Sequence, residues 1–212
     1  MAAKRKKPAS RRGRYDRTQS RKEREAEVHR RLLDAAAQTF AEVGYRAANV
    51  EAIVARAAIS RRTFYEHFDD LDDALGQVHL DLGAQAFGLL ELAIGLAEDP
   101  LEKVRLGVSA FMTAVAQNGG LARVIFREVR AAGPKFELRW QQENARYVSL
   151  LLGALEAAHR AGALRFAPTE VEVFTLIVGI EQVAIRHLAR GDEHLLVDLA
   201  PALAELVLRA FR

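Results

Sequence analysis

A chain of 212 residues, half of them apolar, can bury one sizeable core or two smaller ones, and its formal charge of +3 is close to balance. The absence of cysteine excludes disulfides and thiolate metal sites and suits a reducing compartment. No apolar run reaches about 18 residues, since the longest candidate, Val173 to Ile180, is stopped by Glu181 and Gln182; a membrane span is excluded and a soluble, cytoplasmic protein is expected.

The near balance hides an asymmetry. Residues 1–24 hold eleven lysines and arginines against Asp16 and Glu23, a net +9, which leaves −6 for the rest of the chain. With Pro8, Ser10 and Gly13 and no apolar period, this segment reads as a disordered basic arm suited to phosphate; the plainer alternative is a solubilising tail.

After it, Val28, Leu32, Leu33, Ala36, Phe40 and Val43 recur at helical spacing up to Gly44, a C-cap glycine. Val50, Ile53, Val54 and Ala57 mark a short second helix with Asn49 as N-cap. Ala58-Ile59 makes a tight turn, and Ser60 caps a third helix whose Phe64 and Phe68 face inward. Arg61, Arg62 and Tyr65 are left pointing out, with Thr63 and His67 at the margins. Two guanidinium groups, an aromatic ring and hydroxyls suit base edges and phosphates, although basic helix faces are often merely solvated. Asp69 or Asp70, followed by Asp72 and Asp73, opens a long fourth helix.

In that order, the helix ending F-A-E-V-G-Y, the capped V-E-A-I-V-A-R-A, the turn and S-R-R-T-F-Y-E-H-F make Leu32 to Leu75 resemble the DNA-binding domain of the tetracycline-repressor (TetR) family of bacterial regulators. Three positions depart from the family pattern: Asn49 stands for threonine, Ala58 for glycine and Leu71 for lysine. A left-handed Ala58 costs roughly 1 kcal/mol against glycine. Leu71 removes a lysine that often meets phosphate, a contact the basic arm can replace.

The resemblance implies a sequence-specific transcriptional regulator, most often a repressor, in which Arg61, Arg62 and Thr63 reach bases, Tyr65 a base methyl or phosphate, and Asn49, Ser60 and His67 phosphates. The expected organisation is all-α: a basic arm (1–24), a helix-turn-helix domain (25–75) and a helical ligand-binding and dimerisation domain (76–212).

Beyond Leu75 the breakers Asp99-Pro100, Asn118-Gly119-Gly120, Gly133-Pro134, Ala161-Gly162, Ala167-Pro168 and Gly191-Asp192 predict about six more helices and no strand. Pro201 is expected in the first turn of a final helix capped by Asp198. Apolar residues circle the helix Val173 to Leu188 from Phe174 to Ile185, so it needs cover on two sides. A second copy of the chain can supply one of them, with Gly179 permitting approach and Leu199, Leu203, Leu206, Val207 and Ala210 adding a ridge. The family commonly dimerises through its last two long helices, which would set two recognition helices roughly 34 Å or more apart on a palindromic operator.

The family also implies a small-molecule effector pocket between the fourth and eighth helices. Phe87, Phe111, Met112, Phe126, Arg127, Trp140 and Tyr147 are its candidates, with Phe136 beside them and His79 or Glu128 as further polar anchors, for a largely apolar ligand. No H-E-x-x-H, P-loop, G-x-G-x-x-G or G-x-S-x-G occurs, and His187 with Glu181 and Arg186 reads as interface or cavity polarity; no enzyme activity, metal or cofactor is expected. The competing readings are a nonspecific DNA-coating protein and a small-molecule sensor acting through protein partners.

Overall fold

The computed structural model describes residues 20–128 and 134–212, apart from the side chains of residues 127, 128 and 134–139. Residues 1–19 of the expected arm, and the side chains of Arg127, Glu128 and Phe136, lie outside the described residues. Nine α-helices and no strand are present among the described residues.

Helix α1 (Arg21–Val43) starts inside the segment expected to be an arm. Ser20 accepts from the Glu23 backbone N–H while the Glu23 carboxylate accepts from the Ser20 N–H, a reciprocal cap. Arg21, Lys22 and Arg24 are therefore helical, and the boundary expected at residue 24 moves back to Ser20. Its inward stripe is Leu32, Ala35, Ala36, Thr39 and Phe40, whereas Val43 is exposed rather than part of it.

After a 3-10 turn at Tyr45–Ala47 come α2 (Val50–Ala57) and α3 (Arg61–His67). Asn49 accepts from the Ala52 N–H and Ser60 from the Thr63 N–H, as their positions imply. Ala58 between them sits at φ 51°, the left-handed region in which glycine is unstrained. Phe64 and Phe68 close this head against Leu32, Phe40 and Ile53. Leu71 packs on the same cluster, which explains an apolar side chain at that position.

Asp70 caps α4 (Leu71–Gly95), a 25-residue rod that runs from head to body. The body adds α5 (Pro100–Gln117), α6 (Gly119–Glu128), α7 (Pro134–Arg160), α8 (Glu170–Arg190) and α9 (Leu196–Arg209), five helices beyond α4 where about six were expected. Asp99 with Pro100 opens α5 and Gly191, left-handed at φ 75°, closes α8.

Pro201 is the one misplaced punctuation mark. A 3-10 turn at Glu193–Leu195 leads straight into α9, so the helix starts at Leu196 without an Asp198 cap and the proline lies inside it. The hydrogen bond that the proline cannot donate belongs to the carbonyl of Val197, and both residues are on the exposed side where solvent reaches that carbonyl.

The α8 helix divides its apolar residues between two faces. Val173, Ile180, Ala184 and Leu188 enter the body core, while Val171 and Phe174 stay exposed and a Cβ at Gly179 would meet nothing within 4 Å. On α9, Ala200, Ala204, Val207 and Leu208 are buried and Val197 and Leu206 are exposed.

Candidate DNA interface and effector cavity

The outward face of α3 is set by the inward pull of Phe64 and Phe68, whose rings meet at 5.2 Å. Arg61, Arg62 and Tyr65 are exposed on it. The Arg61 guanidinium is paired with Glu51 of α2, donates to the Tyr65 hydroxyl at 3.3 Å and lies over that ring at 5.7 Å. Arg62 donates to Glu66 at 3.1 Å with its side chain 89% exposed. Exposed pairs of this kind hold side chains in place for only about 0–1 kcal/mol, so a phosphate or a guanine edge can displace the carboxylate.

Two clamps from neighbouring helices hold the frame behind α3. Arg31 of α1 donates to the Ala57 carbonyl at 2.5 Å, satisfying the end of α2, and Arg56 pairs with Glu42 of α1. The Tyr45 hydroxyl meets the Asp72 carboxylate, tying the 3-10 turn to the start of α4.

His67 is less free than a margin position suggests. Its ring is half-buried and lies 5.4 Å from that of His29 on α1. Burial, and then the charge of His67, push the His29 pKa below its ordinary value. A phosphate nearby would favour the protonated form of His29. Asn49 and Ser60 are exposed and spend their side-chain oxygens on helix caps; Thr63 is half-buried with its hydroxyl 2.9 Å from that of Ser60.

The body holds an apolar cavity of about 160 Å³, walled by α4, α5, α6, α7 and α8. Leu90, Val108, Phe111, Ile125, Phe126 and Ile177 give the wall its character. Toward the far end of α4 it shares Ile94, Lys103, Leu150 and Ala154 with an outer groove that also holds Phe87, Glu91 and Arg146.

Four of the expected effector residues, Phe111, Phe126, Trp140 and Tyr147, line the cavity together with His79. Phe87 lies in the groove instead, with the Arg146 guanidinium 3.9 Å above its ring. Met112 is fully buried and belongs to the body core rather than the cavity wall. Tyr147 is held between Phe87 and Phe111 at ring distances of 5.4 and 6.0 Å, and burial raises its hydroxyl pKa to about 12.

Of the polar end of this cavity, sequence reasoning named His79, Trp140 and Glu181 but not Glu143 and Asn144. Glu143 of α7 meets His79 Nε2 of α4 at 3.1 Å, and burial raises its carboxyl pKa to about 7, with Arg146 pulling it down by a smaller amount. The carboxylate rests where Gly83 has no side chain: a Cβ there would lie 2.6 Å from Glu143 Oε1. Trp140 donates its Nε1–H to Glu181 at 3.3 Å, and Asn144 completes the group. His187, once grouped with Glu181, instead pairs with Asp192 at 2.8 Å at the end of α8.

Helix α6 connects cavity and head. Its Ala122, Ile125 and Phe126 face the cavity, while Leu121 and Val124 pack with the head cluster. Gly120 approaches so closely that a Cβ would sit 3.3 Å from the Ala41 carbonyl oxygen of α1. Arg123 fixes the same helix to the end of α8 through the Leu188 carbonyl at 2.8 Å and Glu193 at 3.1 Å. Two helices, α4 and α6, thus border both the cavity and the head.

Comparison with known proteins assigns both halves. Residues 32–73 match the model described as bacterial regulatory proteins, tetR family, and residues 97–209 match that of the tetracyclin repressor-like C-terminal domain. The chain is 23% identical over 177 residues to the fatty acid metabolism regulator protein of Bacillus subtilis, covering 83% of this chain and 91% of that one. It is 25% identical over 179 residues to the HTH-type transcriptional repressor KstR2 of Rhodococcus jostii, covering 84% and 87%. Among solved structures, FadR from Bacillus subtilis in complex with stearoyl-CoA superposes with a TM-score of 0.76 at 22% identity, covering 87% of this chain and all of that one.

Proposed function

The chain belongs to the tetR family of bacterial regulatory proteins and is a ligand-responsive, DNA-binding regulator of transcription; from that premise we propose that it is a cytoplasmic homodimer that holds a palindromic operator until an acyl-type effector fills its cavity. Residues 20–75 serve as the reading head and 76–212 as the sensing and pairing body, with the basic residues before them adding phosphate contacts. Arg61, Arg62 and Thr63 read bases, Tyr65 touches a base methyl or phosphate, and Asn49, Ser60 and His67 meet phosphates. No catalytic step is part of this reading.

The observation that carries it is the double duty of α4 and α6, each of which walls the cavity on one face and packs with the head on another. The effector class follows from the cavity's apolar wall and from Lys103 and Arg146 at its outer end, suited to an anionic head group. Regulators of fatty acid metabolism, one of them solved with stearoyl-CoA, stand among the relatives. Pairing uses the apolar strip of Val171, Phe174 and Val178 around the open Gly179, with Val197 and Leu206 of α9 beside it. A two-fold axis through that strip brings two α3 helices to one side of a dimer.

Effector binding acts by population shift. A chain of methylenes between α4, α5 and α7 favours a body in which α4 and α6 hold the heads at a spacing the operator does not match. The test is binding of full-length protein to the DNA flanking its own gene, against scrambled DNA of equal length, with and without stearoyl-CoA. Selective binding that the thioester weakens at least tenfold is expected. Equal binding to both DNAs, or selective binding indifferent to every long-chain thioester tried, overturns the proposal.

A further inference from the structure

The cavity is apolar along most of its length and polar at one end, and that end lies away from the outer groove. Ile94, Lys103, Leu150 and Ala154 mark the groove end, and His79, Trp140, Glu143, Asn144 and Glu181 the inner one. Along α4, from His79 to Ile94, the two ends are roughly 22 Å apart at about 1.5 Å per residue. A ligand whose head sits at Lys103 thus sends its tail toward the inner cluster, where a plain methyl end would leave the Asn144 amide unmatched.

Asn144 is the informative member. It is 7% exposed, it lines the cavity, and among the described residues no group hydrogen-bonds its side-chain amide. An amide that faces the cavity without a protein partner leaves hydrogen bonds for a ligand atom to supply. Its neighbours restrict what that atom is. The carboxyl groups of Glu143 and Glu181 already stand in the wall, so a second carboxylate would be repelled. The Asn144 amide offers both a donor and an acceptor, which match a hydroxyl in either direction.

We propose that the natural effector carries a hydroxyl group at its buried end, received by Asn144 beside the His79–Glu143 pair. This rests on the reading of the cavity as a site for acyl-type ligands and makes it narrower. Hydroxyl recognition by a buried polar group discriminates more strongly than an apolar wall does, because the analogue lacking the hydroxyl leaves the amide unpaired. It also brings the ligand to His79, two turns from the start of α4, and so close to the head.

Trp140, the chain's only tryptophan, is in the cavity wall and its fluorescence reports occupancy. Two probe sets are titrated into the full-length protein. The first has no thioester: 1-decanol, 1-chlorodecane and decanoate. The second comprises dodecanoyl-CoA, 12-hydroxydodecanoyl-CoA and the thioester ending in a carboxylate. Decanol is expected to bind about tenfold tighter than chlorodecane, with decanoate weakest, and the hydroxylated thioester about tenfold tighter than the plain one.

Asn144→Leu, which keeps the volume, should erase both preferences while retaining the plain chains; Asn144→Ala should do the same without added bulk. Equal binding of hydroxylated and plain probes, or a preference that survives both substitutions, overturns the proposal while leaving the acyl reading intact. Decanol preference without binding of any thioester removes the acyl-thioester reading and keeps the hydroxyl. If no probe of either set binds, both fall.

Discussion

In the head, Phe40, Phe64 and Phe68 are at most 2% exposed and pack on one another and their neighbours, whereas in the body Phe111, Phe126 and Trp140 are only partly buried and stand around a cavity. The head core takes its apolar surface from α1 to α4, Tyr45 of the 3-10 turn and the Leu121–Val124 edge of α6, with the clamps of Arg31 and Arg56 on α2 holding its frame. The body places His79, Asn144 and Glu181 among its buried residues. A surface that must meet DNA in one geometry is built on close packing; a surface that must admit a ligand keeps space and buried polar groups. The contrast assigns rigidity to one region and adjustability to the other.

The contrast breaks most visibly if the head tolerates a cavity. Phe64→Ala is expected to cost about 3–5 kcal/mol, because the ring is fully buried and its neighbours are held by capped helices that relax little. Urea unfolding with a probe in each region measures it, and a loss below about 1 kcal/mol would mean that the head repacks as easily as the body.

Arg62→Glu comes next. Reversing an exposed charge opposite base edges and phosphates should weaken operator binding at least a hundredfold, about 2.7 kcal/mol, with the melting temperature within a few degrees of the parent. Retained selectivity would move the readout off this face.

The body supplies a pH test. Burial raises the Glu143 carboxyl to about 7, so folding favours its protonated form. Its contribution to stability is complete below about 4.5, the ordinary value, and is lost as pH rises through about 7. Comparing the melting temperature of Glu143→Gln with that of the parent from pH 5 to 8 isolates this group from His79, Arg146 and Tyr147 around it. The difference should shift in the variant's favour as pH rises; a constant difference would place the carboxyl in water.

The smallest effect is Ala58→Gly, expected to stabilise by up to roughly 1 kcal/mol because the left-handed turn at φ 51° suits glycine. Destabilisation by that substitution would mean that the methyl group packs usefully in the turn.

Much of the head was legible in the sequence because its signals are local. Asn49, Ser60 and Asp70 cap helices within three residues of themselves, and the spacing of Phe64 and Phe68 fixes which face Arg61 and Arg62 present. The cavity aromatics were legible as candidates, but a lining side chain and a core one share a period, so Met112 was indistinguishable from Phe111.

At the polar end His79, Trp140 and Glu181 were legible, whereas Glu143 and Asn144 were hidden for a different reason. His79 and Glu143 are far apart in the chain, and a glutamate on an amphipathic helix reads as solvated. The available hints were Gly83 inside a long helix, which makes room for that carboxylate, and Glu181 in an apolar run. Asn118-Gly119-Gly120 read as a helix break, and α5 does end at Gln117; Gly119 and Gly120 open α6, and Gly120 lets that helix lie against Ala41. A close approach between distant segments has no signature in either segment alone.

The central claim is that operator and effector compete through one pair of helices, and linkage makes that claim measurable from the effector's side. Stearoyl-CoA titrated into free protein and into protein saturated with its operator, followed by Trp140 fluorescence, should bind more weakly to the complex, by the same factor as the thioester weakens the operator. Equal affinity for the free and DNA-bound forms would contradict the account, since the cavity would then be blind to what α3 holds.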